Sequence, residues 1–111
     1  MTGKQDALAE LDDVGLVFEA LSHAARRQVL LVLQARGDTM GSKEIAERFS
    51  TTWATVSRHL QTLEAAGLVA TVPSGDGRER RYVLVRERLA EVAGGWLARF
   101  DQPVGPSKDS S

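Results

Sequence analysis

Thr52, Trp53, Ser57, Arg58 and Gln61 stand close enough along the chain to act together on one ligand. At 3.6 residues per turn they fall on one side of a helix. The set holds two hydroxyls, an amide, a guanidinium and an indole, and no carboxylate comes before Glu64. Donors and acceptors of this kind can bond to base edges in a DNA groove, and Arg58 could bridge O6 and N7 of guanine. An acidic residue here would repel phosphate. Trp53 either touches a thymine methyl group or packs on Phe49. A second set, Arg78 and Arg80, lies beside Pro73-Ser74-Gly75-Asp76-Gly77. Cations on a turn suit phosphate or minor-groove contact, which positions a protein without naming a base.

Two helices are needed to present the first set. The spacing predicts one over 42–49, with Ile45, Ala46 and Phe49 inward, and one over 53–66, with Val56, Leu60 and Leu63 inward. Ser50-Thr51-Thr52 separates them. Thr52 is a suitable N-cap, since its hydroxyl can accept from the open N–H groups of the next turn. Gly67 supplies a helix stop. Helix, short turn and acid-free second helix make the layout of a helix-turn-helix. The plainer alternative is a helical hairpin with a solvated polar face.

Beyond Gly67 the period changes. Residues 68–72 and 78–85 are β-prone and flank the glycine-rich turn, which predicts a hairpin with an arginine-rich return strand. Directly after a helix-turn-helix, such a hairpin is a wing, spanning 68–85. Its alternative is a decorative hairpin with a solvated charge run.

Three further helices frame this unit. In 5–21, Leu11, Val14, Phe18 and Leu21 form an apolar stripe opposite an acidic face. Residues 24–35 are apolar nearly all round after Arg26-Arg27, as in a helix central to the core, with Ser22 or His23 near its N-cap and Gly37 at its end. Residues 38–40 have room for no more than a turn or a small β-bridge. In 86–100, Leu89, Val92, Ala93, Trp96, Leu97 and Phe100 form a broad stripe, while Ala90, Gly94 and Ala98 form a small-residue face. The expected fold is mainly α with a small β-hairpin: five helices with a two-stranded wing. One domain covers 1–101, and 102–111 reads as a disordered tail. The first and last helices offer more apolar surface than one small domain hides. This predicts a homodimer through Leu11, Val14, Phe18, Leu89, Trp96 and Phe100, matched to successive major grooves of a two-fold DNA site.

Composition narrows the function classes. The 111 residues contain no cysteine, which excludes disulfides, thiol redox sensing and thiolate metal sites. Two histidines alone make a poor transition-metal site. The expectation is therefore no metal and no cofactor. His59 is expected to pack or hydrogen-bond on the flank of the second helix, and His23 to cap or lie on the surface. The longest apolar run, 29–33, is far too short to cross a bilayer, and the polar N-terminus lacks a signal-peptide core, so a cytoplasmic location is expected. The formal net charge is −1, yet residues 1–22 hold five acids against one lysine and residues 78–88 hold five arginines against two glutamates. A local basic patch can bind phosphate on a neutral chain. No phosphate loop is present, since Gly75-Asp76-Gly77 is not expected to open a helix, and no Ser/His/Asp set has supporting spacing, so no enzyme is expected.

Four stretches together, 18–30, 44–49, 55–69 and 81–84, resemble the ArsR family of bacterial winged-helix repressors. The resemblance spans about residues 11–100 and is most specific in 55–69, TVSRHLQTLEAAGLV. The stretch 95–100, GWLARF, is similar to a metal-independent autorepressor branch. The resemblance implies a dimeric repressor on an operator near its own promoter, usually released by an inducer. It implies groove contacts from Thr52, Trp53, Ser57 and Arg58 and wing contacts from Arg78 and Arg80. Metal-sensing members carry a Cys-x-Cys site or a His/Asp/Glu site on the last helix. Here there is no cysteine, and Glu87, Glu91 and Asp101 have no histidine near them. His23-Ala24 stands where Asp-Pro is common in the family. The runner-up function is a winged-helix module that docks a protein and not DNA, which would not need both an acid-free helix face and a basic wing.

Overall fold

The computed structural model describes residues 3–73 and 80–101, with side chains from residue 12 onward. The side chain of Leu11, all of Arg78 and the expected tail 102–111 lie outside the described residues. In chain order the elements are α1 (Gly3–Leu21), α2 (Ala24–Arg36), β1 (Met40–Gly41), α3 (Ser42–Arg48), α4 (Trp53–Ala65), β2 (Val69–Val72), β3 (Arg81–Leu84) and α5. Helix α5 spans residues 86–98 and has three parts. Arg86–Arg88 and Gly95–Ala98 are α-helical, and Leu89–Gly94 between them is π-helical.

The two ends of α4 follow from local chemistry. Thr52 has extended backbone, and its side chain accepts from the Thr55 N–H at 3.2 Å. At the other end Gly67 adopts φ +80, so that its N–H reaches Glu64 O and the Leu68 N–H reaches Leu63 O, both at 2.9 Å. This paired pattern closes the last carbonyls of a helix and needs a residue without a Cβ at the left-handed position. Between α3 and α4 the tight turn places Ser50 at φ 51.

The core is made where α1, α2, α3 and α4 meet the sheet. Val17, Leu33, Met40, Ile45, Leu60, Leu63 and Leu68 are fully buried there. The sheet has three strands in the order β1-β3-β2, all antiparallel. The wing pair runs from Val69 opposite Leu84 to Val72 opposite Arg81. β1 adds Met40 opposite Tyr82, so the expected small β-bridge at 38–40 is the third strand, one residue further on.

Two expectations change. Helix α2 is not buried all round: Val29, Leu30 and Leu33 face the core, but Leu31 is 59% exposed. A run of five apolar residues exceeds what one face of a helix can hide, so at least one turns outward. The stripe expected over 86–100 also does not follow α-helical spacing throughout. The π-helical turn shifts the phase, so that Ala93 is buried, Leu89 and Val92 pack partly on the core, and Leu97 is exposed.

Candidate nucleic-acid interface

Helix α4 buries Val56, Leu60 and Leu63, which leaves Trp53, Ala54, Arg58 and Gln61 exposed and Ser57 half-buried on the far side. Thr52 is exposed just ahead of them. The five residues picked out by type therefore share one accessible surface. No acidic residue occupies the first turn of α4, and no ion pair among the described residues uses Arg58. The guanidinium is thus free for an outside partner, while Thr52 is partly committed as a cap.

Trp53 is anchored on α3. Its Nε1–H donates to Ser42 Oγ at 2.8 Å, and Ser42 is only 6% exposed. The expected packing partner Phe49 is part-buried against the core, yet the indole still keeps 55% of its surface exposed. Sequence reasoning did not single out Ser42. Helix periodicity says nothing about a bond between residues eleven apart on two helices.

The basic wing is smaller than its arginine count suggests. Arg80 is exposed. Arg81 turns back on the body: its Nε donates to Thr39 Oγ1 at 2.9 Å, its Nη2 donates to Thr39 O at 3.0 Å, and it lies 3.9 Å from Glu44. Glu44 also pairs with Arg36. Arg88, half-buried, likewise bonds within the fold. It donates to Ala66 O at 3.0 Å and to Asp13 Oδ1 at 3.2 Å, tying the end of α4 to α1 and α5.

Arginines also close α1. Arg26, 8% exposed, donates to Ala20 O at 2.7 Å and Glu19 O at 3.0 Å, and Arg27 donates to Leu21 O at 2.7 Å. Cations at a helix C-terminus satisfy its open carbonyls and its dipole. His23 occupies the N-cap of α2 without a side-chain cap bond. Its ring lies 5.3 Å from that of His59. Burial, then the charges of Arg26, His23 and Arg58, hold the His59 imidazole below its ordinary pKa. The pair carries no third ligand: among the described residues no group of three His, Cys, Asp or Glu could hold a metal ion.

Away from α4, Phe18 on α1 meets Trp96 on α5 edge-on at 5.4 Å, and Trp96 meets Phe100 at 4.9 Å. Val14 and Leu89 are half-buried, whereas Phe100 is 69% exposed. Ala90, Gly94 and Ala98 are all exposed. The structure thus gathers Phe18, Trp96 and Phe100 in one apolar cluster. No helix among the described residues is long and apolar enough to cross a membrane.

Comparison with known proteins agrees with this geometry. A helix-turn-helix domain family model matches residues 21–72. An ArsR family transcriptional regulator of solved structure is 28% identical, covering 84% of this chain and 88% of its own, with a TM-score of 0.66. The chain has the winged helix-turn-helix fold and is similar to a regulator of the ArsR family. A possible transcriptional regulatory protein fragment from Mycobacterium bovis is 27% identical, covering 83% of this chain and 95% of its own, with a TM-score of 0.64. A homodimeric winged helix-turn-helix DNA-binding domain from the same organism shares the fold, at 24% identity, 87% coverage of each chain and a TM-score of 0.67. No curated protein matches the chain. The first two of these proteins are described as transcriptional regulators, the second as a possible one. Within that fold α3 and α4 form the helix-turn-helix, and β2 and β3 form the wing.

Proposed function

We propose that the chain is a sequence-specific DNA-binding transcriptional regulator, a cytoplasmic repressor that acts as a homodimer on a palindromic operator. Helix α4 enters the major groove with Thr52, Trp53, Ser57, Arg58 and Gln61, and the wing anchors through Arg78 and Arg80. The observation that carries this reading is the exposed face of α4, which is free of carboxylates and backed by a buried apolar face. The similarity to transcriptional regulators, and to a homodimeric DNA-binding domain, supports it. The apolar cluster of Phe18, Trp96 and Phe100 supports a two-fold dimer through α1 and α5, and the proposed interface also takes in Leu11, Val14 and Leu89. The chain has no cysteine, which supports membership of the metal-independent branch.

The test is selection of duplexes from a random library by the purified full chain. The proposal expects enrichment of a two-fold symmetric sequence whose half-sites are centred about 34 Å, or one helical turn, apart. Equal retention of all sequences would overturn sequence-specific reading, and no retention at moderate salt would favour the protein-docking alternative.

A further inference from the structure

Trp53 combines two features that pull in opposite directions. It is a large apolar side chain left more than half exposed at the first position of α4, and its one polar atom is already occupied. An indole has a single donor, Nε1–H, and no acceptor. That donor is directed inward to Ser42 Oγ at 2.8 Å. Ser42 opens α3 and is itself buried, so the bond is held from the fixed side. The indole has only two rotatable bonds, and a hydrogen bond at its far edge fixes both.

What Trp53 then offers outward is hydrocarbon. It cannot donate to a base edge or to phosphate without breaking its bond to Ser42. In the major groove the apolar feature of a base edge is the 5-methyl group of thymine. We propose that Ser42 positions Trp53 so that its indole face reads a thymine 5-methyl group in the duplex bound by α4. The proposal rests on the reading of α4 as the DNA-facing helix. Trp53 is the specificity-determining residue at that base pair, and Ser42 is a positioning residue that acts through it.

The experiment uses the full chain and the duplex enriched from a random library. Each thymine is replaced in turn by deoxyuridine, in both half-sites, which removes one methyl group and leaves every hydrogen-bonding group in place. One position is expected to show a loss of about fourfold per half-site, or about fifteenfold with both replaced. Trp53→Ala should bind thymine and deoxyuridine duplexes equally at that position. The residue is exposed, so this change leaves the core intact. Ser42→Ala should reduce the discrimination while the thermal midpoint stays close to wild type, and Ser42→Thr, which keeps a hydroxyl, should retain it. A merely structural role for Ser42 would not move the thymine-to-deoxyuridine ratio. Equal binding of all deoxyuridine duplexes by the wild type overturns the proposal. So does a methyl preference that survives Trp53→Ala, which assigns the contact to another side chain. Full discrimination in Ser42→Ala overturns the positioning role. If no duplex is enriched at all, the DNA-binding reading itself fails, a result distinct from sequence-specific binding without a methyl effect.

Discussion

Gly37 and Gly67 end α2 and α4 with nearly the same backbone, φ +73 and φ +80, but in different surroundings. A Cβ at Gly37 meets nothing within 4 Å. A Cβ at Gly67 would lie 2.9 Å from Arg88 Nε, 3.4 Å from Cδ and 3.5 Å from Cγ. Left-handed backbone costs an L-residue roughly 1–2 kcal/mol, and alanine recovers a few tenths through its less flexible unfolded chain, so Gly37→Ala should cost about 1 kcal/mol. Gly67→Ala carries the same strain and must also displace Arg88. The displaced side chain loses its bonds to Ala66 O at 3.0 Å and Asp13 Oδ1 at 3.2 Å. Both partners of the ion pair are partly exposed, which limits the pair to about 1 kcal/mol or less. The bond to a helix-end carbonyl adds about 1 kcal/mol. Gly67→Ala should therefore cost about 2–3 kcal/mol. At about 4–8 °C per kcal/mol for a domain of this size, its melting midpoint should fall roughly 5–15 °C further than that of Gly37→Ala. The assay is thermal unfolding by circular dichroism at one fixed protein concentration, since dimerisation would make the midpoint concentration-dependent. The same pair is then measured in an Arg88→Ala background, where the gap should close. Equal midpoints in the wild-type background, or a gap that persists without Arg88, would show that the Arg88 side chain does not set the cost at Gly67.

Other expectations can be checked with the same material. Phe100→Glu should convert a dimer, at twice the 12.0 kDa of one chain, into a monomer in light scattering at micromolar concentration; a monomeric wild type would sink the α1–α5 interface. His59 has its folded-state pKa lowered from 6.5, so the unfolded chain takes up its proton first as pH falls. The stability this group contributes is whole above pH 6.5 and drains away as pH falls from there through the lowered folded value. The wild-type midpoint should drop more than that of His59→Gln between pH 7.5 and 5.5, and parallel curves would contradict the assignment. Zinc, cadmium, nickel and arsenite at low micromolar concentration should leave DNA binding unchanged, whereas stoichiometric metal uptake with release of DNA would contradict the metal-independent reading.

Much of the interface was legible because it depends on local patterning. Val56, Leu60 and Leu63 recur at helical spacing, so the opposite face of α4 follows from geometry alone. Thr52 and Gly67 act on neighbours within five residues, which is why both ends of α4 could be read from residue type. The arginines were not legible in this way. Arg81 bonds to Thr39, 42 residues away, and Arg88 bonds to Asp13, 75 residues away. A charge run looks the same in sequence whether its members face solvent or span elements. Ser42 was hidden for a related reason, since a buried hydroxyl at the start of a helix reads first as cap chemistry. For Arg26 a signal was present: two cations a few residues past a helix end suit its open carbonyls. The π-helical turn of α5 left no mark in the spacing, since Leu89 to Phe100 fits an α-helical stripe well on paper.

Whether α4 reads bases is decided by a salt titration of binding to the enriched duplex and to a scrambled duplex. Arg58 is exposed on α4 and Arg80 is exposed at the wing. Arg58→Ala should weaken binding to the enriched duplex by roughly 5- to 150-fold per half-site while changing the scrambled duplex far less. Arg80→Ala should weaken both duplexes about equally and flatten the salt slope by roughly two for a dimer, one counterion per phosphate contact removed. Equal losses on both duplexes for Arg58→Ala would contradict base reading by α4, even in a protein that binds DNA.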